Sequence, residues 1–149
     1  MSDSLHPVLG QFFSNDSEGH VDVLLQNLAT RQLSAGKVLF NAGDSADCVY
    51  LLLEGRVAVQ RTIGIGDRTQ VIALLDAGTV VGEAGIVAGR FRTTTVSAVM
   101  DSKLAVLSQQ GLAELEQKLP SVYISMLKRI VSITSLRLQK SSERLALVL

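Results

Sequence analysis

The hydrophobic pattern of the chain changes its period twice. Between Gln32 and Leu107, apolar residues come in short or alternating runs, each cut by a glycine-bearing break. The runs are Lys37–Phe40, Val49–Leu53, Arg56–Arg61, Gln70–Leu75, Thr94–Val99 and Lys103–Leu107. The breaks are Ala35-Gly36, Ala42-Gly43-Asp44, Glu54-Gly55, Gly64-Ile65-Gly66-Asp67 and Asp76-Ala77-Gly78. Successive side chains of a strand point to opposite faces, so short runs of this kind between turn residues predict strands. Their regular spacing predicts an antiparallel sandwich or barrel, with a hairpin loop around Gly66-Asp67.

The flanks follow a helical period. Residues 1–18 are polar and mixed, and Asn15–Gly19 is a break. Val21, Leu24, Leu25 and Leu28 then recur at helical spacing, predicting a short helix over His20–Ala29. After Ser108 glycine nearly vanishes, and Gln109–Leu119 predicts one helix. Pro120 has no N–H to donate, so it marks a break and a restart. From Ser121 to about Leu147 a long helix is expected. Leu127, Val131, Thr134, Leu138 and Leu145 fall on one seam, and Ile130, Ile133 and Leu136 widen the apolar surface. Two apolar stripes on one helix need two clients: the β-unit and, for the seam, a second copy of the chain in a short coiled coil. The fold expected is mixed α+β, an antiparallel β-roll (double-stranded β-helix or jelly roll) flanked by an N-terminal helix and C-terminal helices, the last one long. Its parts are 1–30, an extension and helix; 31–108, the roll; and 109–149, the C-terminal helices.

Composition narrows the function classes. A chain of 149 residues that is 47% hydrophobic can bury a core as one domain without disulfides. Cys48 is the sole cysteine, and with His6 and His20 it makes a poor metal set, so no metal site is expected. Fourteen basic residues balance 14 acidic ones, which removes the positive field a general nucleic-acid binder needs. The local excess of Lys128, Arg129, Arg137, Lys140 and Arg144 over Glu143 reads as a solvated helix face. The start of the chain lacks a basic segment followed by an apolar run, and no apolar run approaches the ~18 residues of a membrane span. A cytoplasmic protein without membrane contact is expected. No Ser/His/Asp set, carboxylate dyad or metal box stands out, so no enzyme is expected.

The candidate chemistry sits in residues 81–96, which run Val-Gly-Glu-Ala-Gly-Ile-Val-Ala-Gly-Arg-Phe-Arg-Thr-Thr-Thr-Val. A phosphate diester needs positive charge and several N–H donors in a concave backbone. Gly82, Ala84 and Gly85 let the backbone approach a ligand, and Arg92 supplies the forked donor that phosphate accepts best. Thr93 and Thr94 add hydroxyls. Glu83, nine positions before Arg92, is an acceptor for a ribose 2′-OH. A surface ion pair between Glu83 and Arg92, worth about 0–1 kcal/mol, is the plainer alternative. The position of the segment, after several strands and directly before another, favours a site.

With those residues in view, the chain resembles the cyclic-nucleotide-binding domain family, the effector fold of catabolite-activator-type regulators, kinase regulatory subunits and gated channels. The family's cassette reads Phe-Gly-Glu-Leu-Ala-Leu, a variable loop, then Pro-Arg-Ala/Ser/Thr-Ala-Thr/Ser-Val. Here Val81-Gly82-Glu83-Ala84-Gly85-Ile86 and Phe91-Arg92-Thr93-Thr94-Thr95-Val96 stand in register. Gly36, Gly43-Asp44 and Val49–Val59 match the glycine-marked strands upstream. The resemblance implies that Glu83 takes the ribose, Arg92 the cyclic phosphate, and N–H groups near Gly85 and Thr93 the rest of the phosphate. It implies apolar flanks for sugar and base from Val71, Leu74 and Val96, and a second base contact from Arg129, Ser132 or Ser135. Thr93 serves the phosphate or, as in guanine-preferring members, the 2-amino group. Val81, Ala84, Phe91 and Thr94 depart from the pattern and alter the packing of the cradle without removing a polar contact.

The function expected is a non-catalytic sensor of cAMP or cGMP, with no other cofactor, whose ligand repositions the long helix. The alternative is a roll that kept its fold, lost its ligand and serves dimerisation or protein interaction. In transcription regulators of the family the long helix forms a dimer seam and leads into a helix-turn-helix. With the chain ending at Leu149, no DNA reader is expected, and the receiver of the signal is a protein that the sequence does not name.

Overall fold

The computed structural model describes residues 6–13, 21–64, 66 and 68–148. The break Asn15–Gly19, His20 and Asp67 lie outside the described residues, as does the side chain of Val21. In chain order the elements are α1 (Pro7–Phe12), α2 (Val21–Gln26), β1 (Ala29–Leu33), β2 (Val38–Phe40), β3 (Cys48–Glu54), β4 (Arg56–Thr62), β5 (Thr69–Asp76) and β6 (Val80–Val81). A short 3-10 helix (Glu83–Ile86) follows, then β7 (Thr95–Ala98), β8 (Ser102–Ser108), α3 (Gln109–Lys118) and α4 (Pro120–Val148).

The strands form two antiparallel four-stranded sheets, ordered β1-β8-β3-β6 and β2-β7-β4-β5. This is the jelly roll that the strand spacing predicts. All six sequence-predicted strands are present, and α1, β1 and β6 are additions. Proline opens α1, the His6 ring accepts the N–H of Val8 at 3.1 Å, and the helix buries Val8, Leu9 and Phe12. The helical reading that ran to Ala29 ends at Gln26, because Ala29–Leu33 pairs with Val106–Ser102 of β8. That strand is polar, and only Leu33 is buried, so its pattern carried no strand signal. Val80–Val81 makes two residue pairs with β3, too short a strand to show alternation.

β3 explains the densest apolar run. Val49, Leu51 and Leu53 face the helices, while Tyr50 and Leu52 face the interior of the roll. A strand buried on both sides reads as continuous rather than alternating. The molecule therefore has two cores. One lies between α1, α3, α4 and the outer face of β3 and β8, and the other lies between the sheets. On α4 the side chains packed on the roll are Val122, Met126 and Ile130, flanked by Tyr123, Leu127 and Ile133. Each fully buried apolar side chain of this set contributes about 1.5–3 kcal/mol. The expected break falls at Leu119, where α3 ends, and Pro120 takes the first position of α4.

Candidate functional site

The cassette is shaped by two glycines. Gly82 has φ 72°, the left-handed conformation that opens the 3-10 helix. A Cβ there would strike the guanidinium of Arg92 and the ring of Phe40, so glycine is needed both for its conformation and for the room it leaves. Gly85 is buried against β3, where a Cβ would overlap the carbonyl of Cys48. The loop after the 3-10 helix is pinned to the turn between β2 and β3. Arg92 N–H donates to the Asp44 carbonyl at 2.7 Å, and Gly43 N–H donates to the Arg92 carbonyl at 2.8 Å. The Asp44 carboxylate in turn accepts the N–H of Asn41 at 2.9 Å.

This anchoring turns Arg92 inward, where it is only 5% exposed. Its Nη1 donates to the Gly82 carbonyl at 2.8 Å and its Nη2 to the Cys48 carbonyl at 2.6 Å. The guanidinium carbon lies 4.2 Å from the centre of the Phe40 ring and 5.8 Å from that of Tyr50. Its Nε is buried without a hydrogen-bond partner, and no carboxylate pairs with it among the described residues. A buried charge with neutral partners only is costly, because the field lost on leaving water is not replaced by an opposite charge. Burial pushes the Tyr50 phenol above its ordinary range and the neighbouring Cys48 adds to this, while Arg31 and Arg92 pull it back.

Arg92 forms part of the wall of a cavity of about 230 Å³, together with Gly82, Glu83, Ala84, Thr93, Thr94 and Val96. Seven of the ten residues expected at the ligand thus line one hollow. Phe40, Val59, Ala73, Leu75, Val81 and Arg137 complete it. The ion pair between Glu83 and Arg92, the plainer alternative to a site, is not made. Glu83, 44% exposed at its side chain, instead faces Arg137 of α4 at 3.7 Å. Arg137 also donates to the Val80 carbonyl at 2.6 Å and to the Thr79 hydroxyl. Its own burial lowers its pKa, and the charge of Glu83 opposes that shift.

Three sets of expected residues lie elsewhere. Gly85 supports the cradle from behind, at β3. Val71 and Leu74 point away from the cavity, 49% and 54% exposed. A bulge pairs Val59 with Ala73 but Gln60 with Val71, skipping Ile72. The slip moves Val71 to the outer face that Leu74 already occupies, and leaves Ala73 and Leu75 facing in. On α4, Arg129 sits over the Phe12 ring at 5.9 Å, on the N-terminal side. At 3.6 residues per turn, Ser132 and Ser135 lie about 140° and 160° around the helix from Arg137, so they cannot share its view of the cavity. Arg137, read from sequence as part of a solvated face, is instead turned to the roll, because it continues the row Val122, Met126, Ile130, Ile133 at i+4 and i+3 steps. An arginine in line with a core stripe needs a polar destination.

Among the described residues no cluster of three or more histidine, cysteine, aspartate or glutamate side chains could hold a metal, and no helix is long and apolar enough to cross a membrane.

The chain resembles known proteins. It is 32% identical over 113 residues to lysophospholipase nte1 of Neosartorya fischeri, a match covering 74% of this chain and 7% of that protein. The chain thus spans a small fraction of the curated relatives it matches. A solved cyclic nucleotide-binding domain from Methylobacillus flagellatus superposes with a TM-score of 0.82 at 24% identity, covering 97% of this chain and 82% of that one. A cAMP-binding acyltransferase from Mycobacterium smegmatis superposes with a TM-score of 0.71 at 25% identity, covering 87% of this chain and 39% of that one. The model of the cyclic nucleotide-binding domain matches residues 30–118, from β1 through α3 and across the whole cassette. By that match, and by the roll and cavity on which it falls, the chain belongs to the cyclic nucleotide-binding domain family.

Proposed function

We propose that the chain is a non-catalytic sensor whose cavity binds a 3′,5′-cyclic purine nucleotide, cAMP or cGMP. The observation that carries this reading is the buried guanidinium of Arg92 in the wall of an open hollow, held by two carbonyls and lacking an acid partner among the described residues. A cyclic phosphate supplies the missing charge and acceptor. Glu83 is placed to accept the ribose hydroxyl. Thr93 and Thr94 offer hydroxyls to the phosphate or to a guanine amino group, and Phe40, Val59, Leu75 and Val96 offer apolar contact to sugar and base. The likeness to a cAMP-binding acyltransferase supports cAMP as the first ligand to try.

The signal leaves through α4. Arg137 ties that helix to Glu83 and to β6, so a ribose at Glu83 meets the contact that holds the helix. Ligand then shifts α4 by the difference in its affinity for the two helix positions. α4 also supports a dimer. Ile124, Val131, Leu138 and Leu145, spaced by seven, are 50%, 64%, 69% and 58% exposed and form a heptad seam turned away from the roll. Every residue from Leu138 to Val148 is exposed, and so short a helical stretch is marginal on its own. A symmetry-related α4 gives it a partner.

Thermal melting with cAMP and cGMP tests the reading. At about a hundredfold excess over Kd, the melting temperature rises by about 5–10 °C with one of the two, and less in Glu83→Ala. No shift with either nucleotide would leave the roll as a dimerisation or interaction module.

A further inference from the structure

We propose that Gln109, the first residue of α3, is a positioning residue for the nucleotide: it fixes the 3-10 helix of the cassette relative to the strand that seats Arg92. The proposal rests on the reading of the cavity as a nucleotide site. Gln109 is half-buried and bonds in two directions. Its backbone N–H donates to the Asp47 carbonyl at 3.2 Å, and its side-chain amide donates to the Gly85 carbonyl. Asp47 precedes Cys48, whose carbonyl accepts Nη2 of Arg92 at 2.6 Å. Gly85 belongs to the short helix that carries Glu83 and Ala84 into the wall of the cavity. One residue thus spans from the backbone that seats the guanidinium to the turn that brings the carboxylate.

The 3-10 helix needs such a hold. Four residues make little more than one turn, and 3-10 hydrogen bonds are poorer in geometry than those of an α-helix. The last carbonyls of a helix have no partner within it. Here Val87 N–H closes on the Ala84 carbonyl at 3.2 Å, and the Gly85 carbonyl takes the amide of Gln109. The donor stands on a fixed support. Ser108 caps α3 by accepting the Gly111 N–H at 3.0 Å, and Leu112 and Leu115 are buried in the core beneath the helices. Without the amide the 3-10 helix samples other positions. Only the fraction that matches the ligand binds it, so the apparent affinity falls by that fraction.

Gln109→Met keeps the length of the side chain and removes the donor. Gln109→Glu keeps the shape and donates only when its carboxyl is protonated. Amide exchange of the unliganded chain and calorimetric titration of cAMP and cGMP are compared for the wild type and both variants. In Gln109→Met the amides of Gly85 and Val87 are expected to exchange about fivefold faster, and the preferred nucleotide to bind about fivefold more weakly, with melting still cooperative. Gln109→Glu shows the same losses at about pH 8 and recovers towards the wild type at about pH 5, each measured against the wild type at that pH. A side chain that only filled space would not respond to the proton. Exchange equal to the wild type in Gln109→Met overturns the proposal, as does faster exchange with unchanged affinity. So does a Gln109→Glu loss that is the same at both pH values. A wild-type chain that binds neither nucleotide would instead refute the reading of the cavity. The exchange of Gly85 and Val87 needs no ligand, and it still decides whether Gln109 holds the helix.

Discussion

Gly85 and Arg92 illustrate how much a single position carries. Gly85 has no room for a Cβ, because the backbone of Cys48 occupies that space and cannot yield without disturbing β3. Gly85→Ala is expected to destabilise the fold by about 1–3 kcal/mol, read as a lower denaturation midpoint at unchanged slope. The motif residues Glu83 and Arg92 were legible in the sequence because their types and spacing suit a sugar and a phosphate. The direction of Arg92 was not. Its inward turn is fixed by backbone bonds to Gly43 and Asp44, partners about fifty positions earlier in the chain, which local pattern cannot place. The break Ala42-Gly43-Asp44 was visible only as a turn, although its role is to hold the arginine.

Among the elements, β5 and α4 decide what reaches the cavity. The strand β5 was legible, but the bulge at Ile72 was not, since alternation read from sequence assumes an unbroken register. That one residue moves Val71 out and leaves Ala73 and Leu75 as the wall. On α4 the 3.6-residue period made two apolar faces legible but not their membership: Leu127, expected on the seam, packs beside Val122, Met126 and Ile130 on the roll, while Val131 and Leu138 are exposed. The arginine that meets the site follows from the same period, at the end of the buried row. If Arg137 carries the signal, nucleotide changes amide exchange along residues 131–148 in the wild type. In Arg137→Ala that change is lost while the nucleotide still binds. Equal changes in both proteins would take the coupling away from Arg137.

For the whole molecule, the fold class was legible because its grammar is long-range: strand runs cut by glycine, then helices almost without it. The elements that escaped are those whose signal is tertiary. β1 is polar and exists through its pairing with β8, and β6 is two residues long. The exposed heptad on α4 is an apolar row without a client on the roll, and it argues for a second copy. Val131→Glu with Leu138→Glu places charges in the middle of that seam and leaves the roll-facing row intact. Sedimentation equilibrium is expected to give a dimer for the wild type and a monomer of unchanged melting cooperativity for the double variant. A wild-type monomer at high concentration would contradict the seam.

The most direct measurement is calorimetric titration of cAMP and cGMP into the wild-type chain and into Arg92→Gln. A hydrogen-bonded charge pair at this depth is worth about 1.5–3 kcal/mol, so the variant should bind the preferred nucleotide about 10- to 100-fold more weakly, with its melting still cooperative. Equal affinity in the two proteins would mean that the buried guanidinium does not hold the phosphate, and the cavity would then need a different ligand.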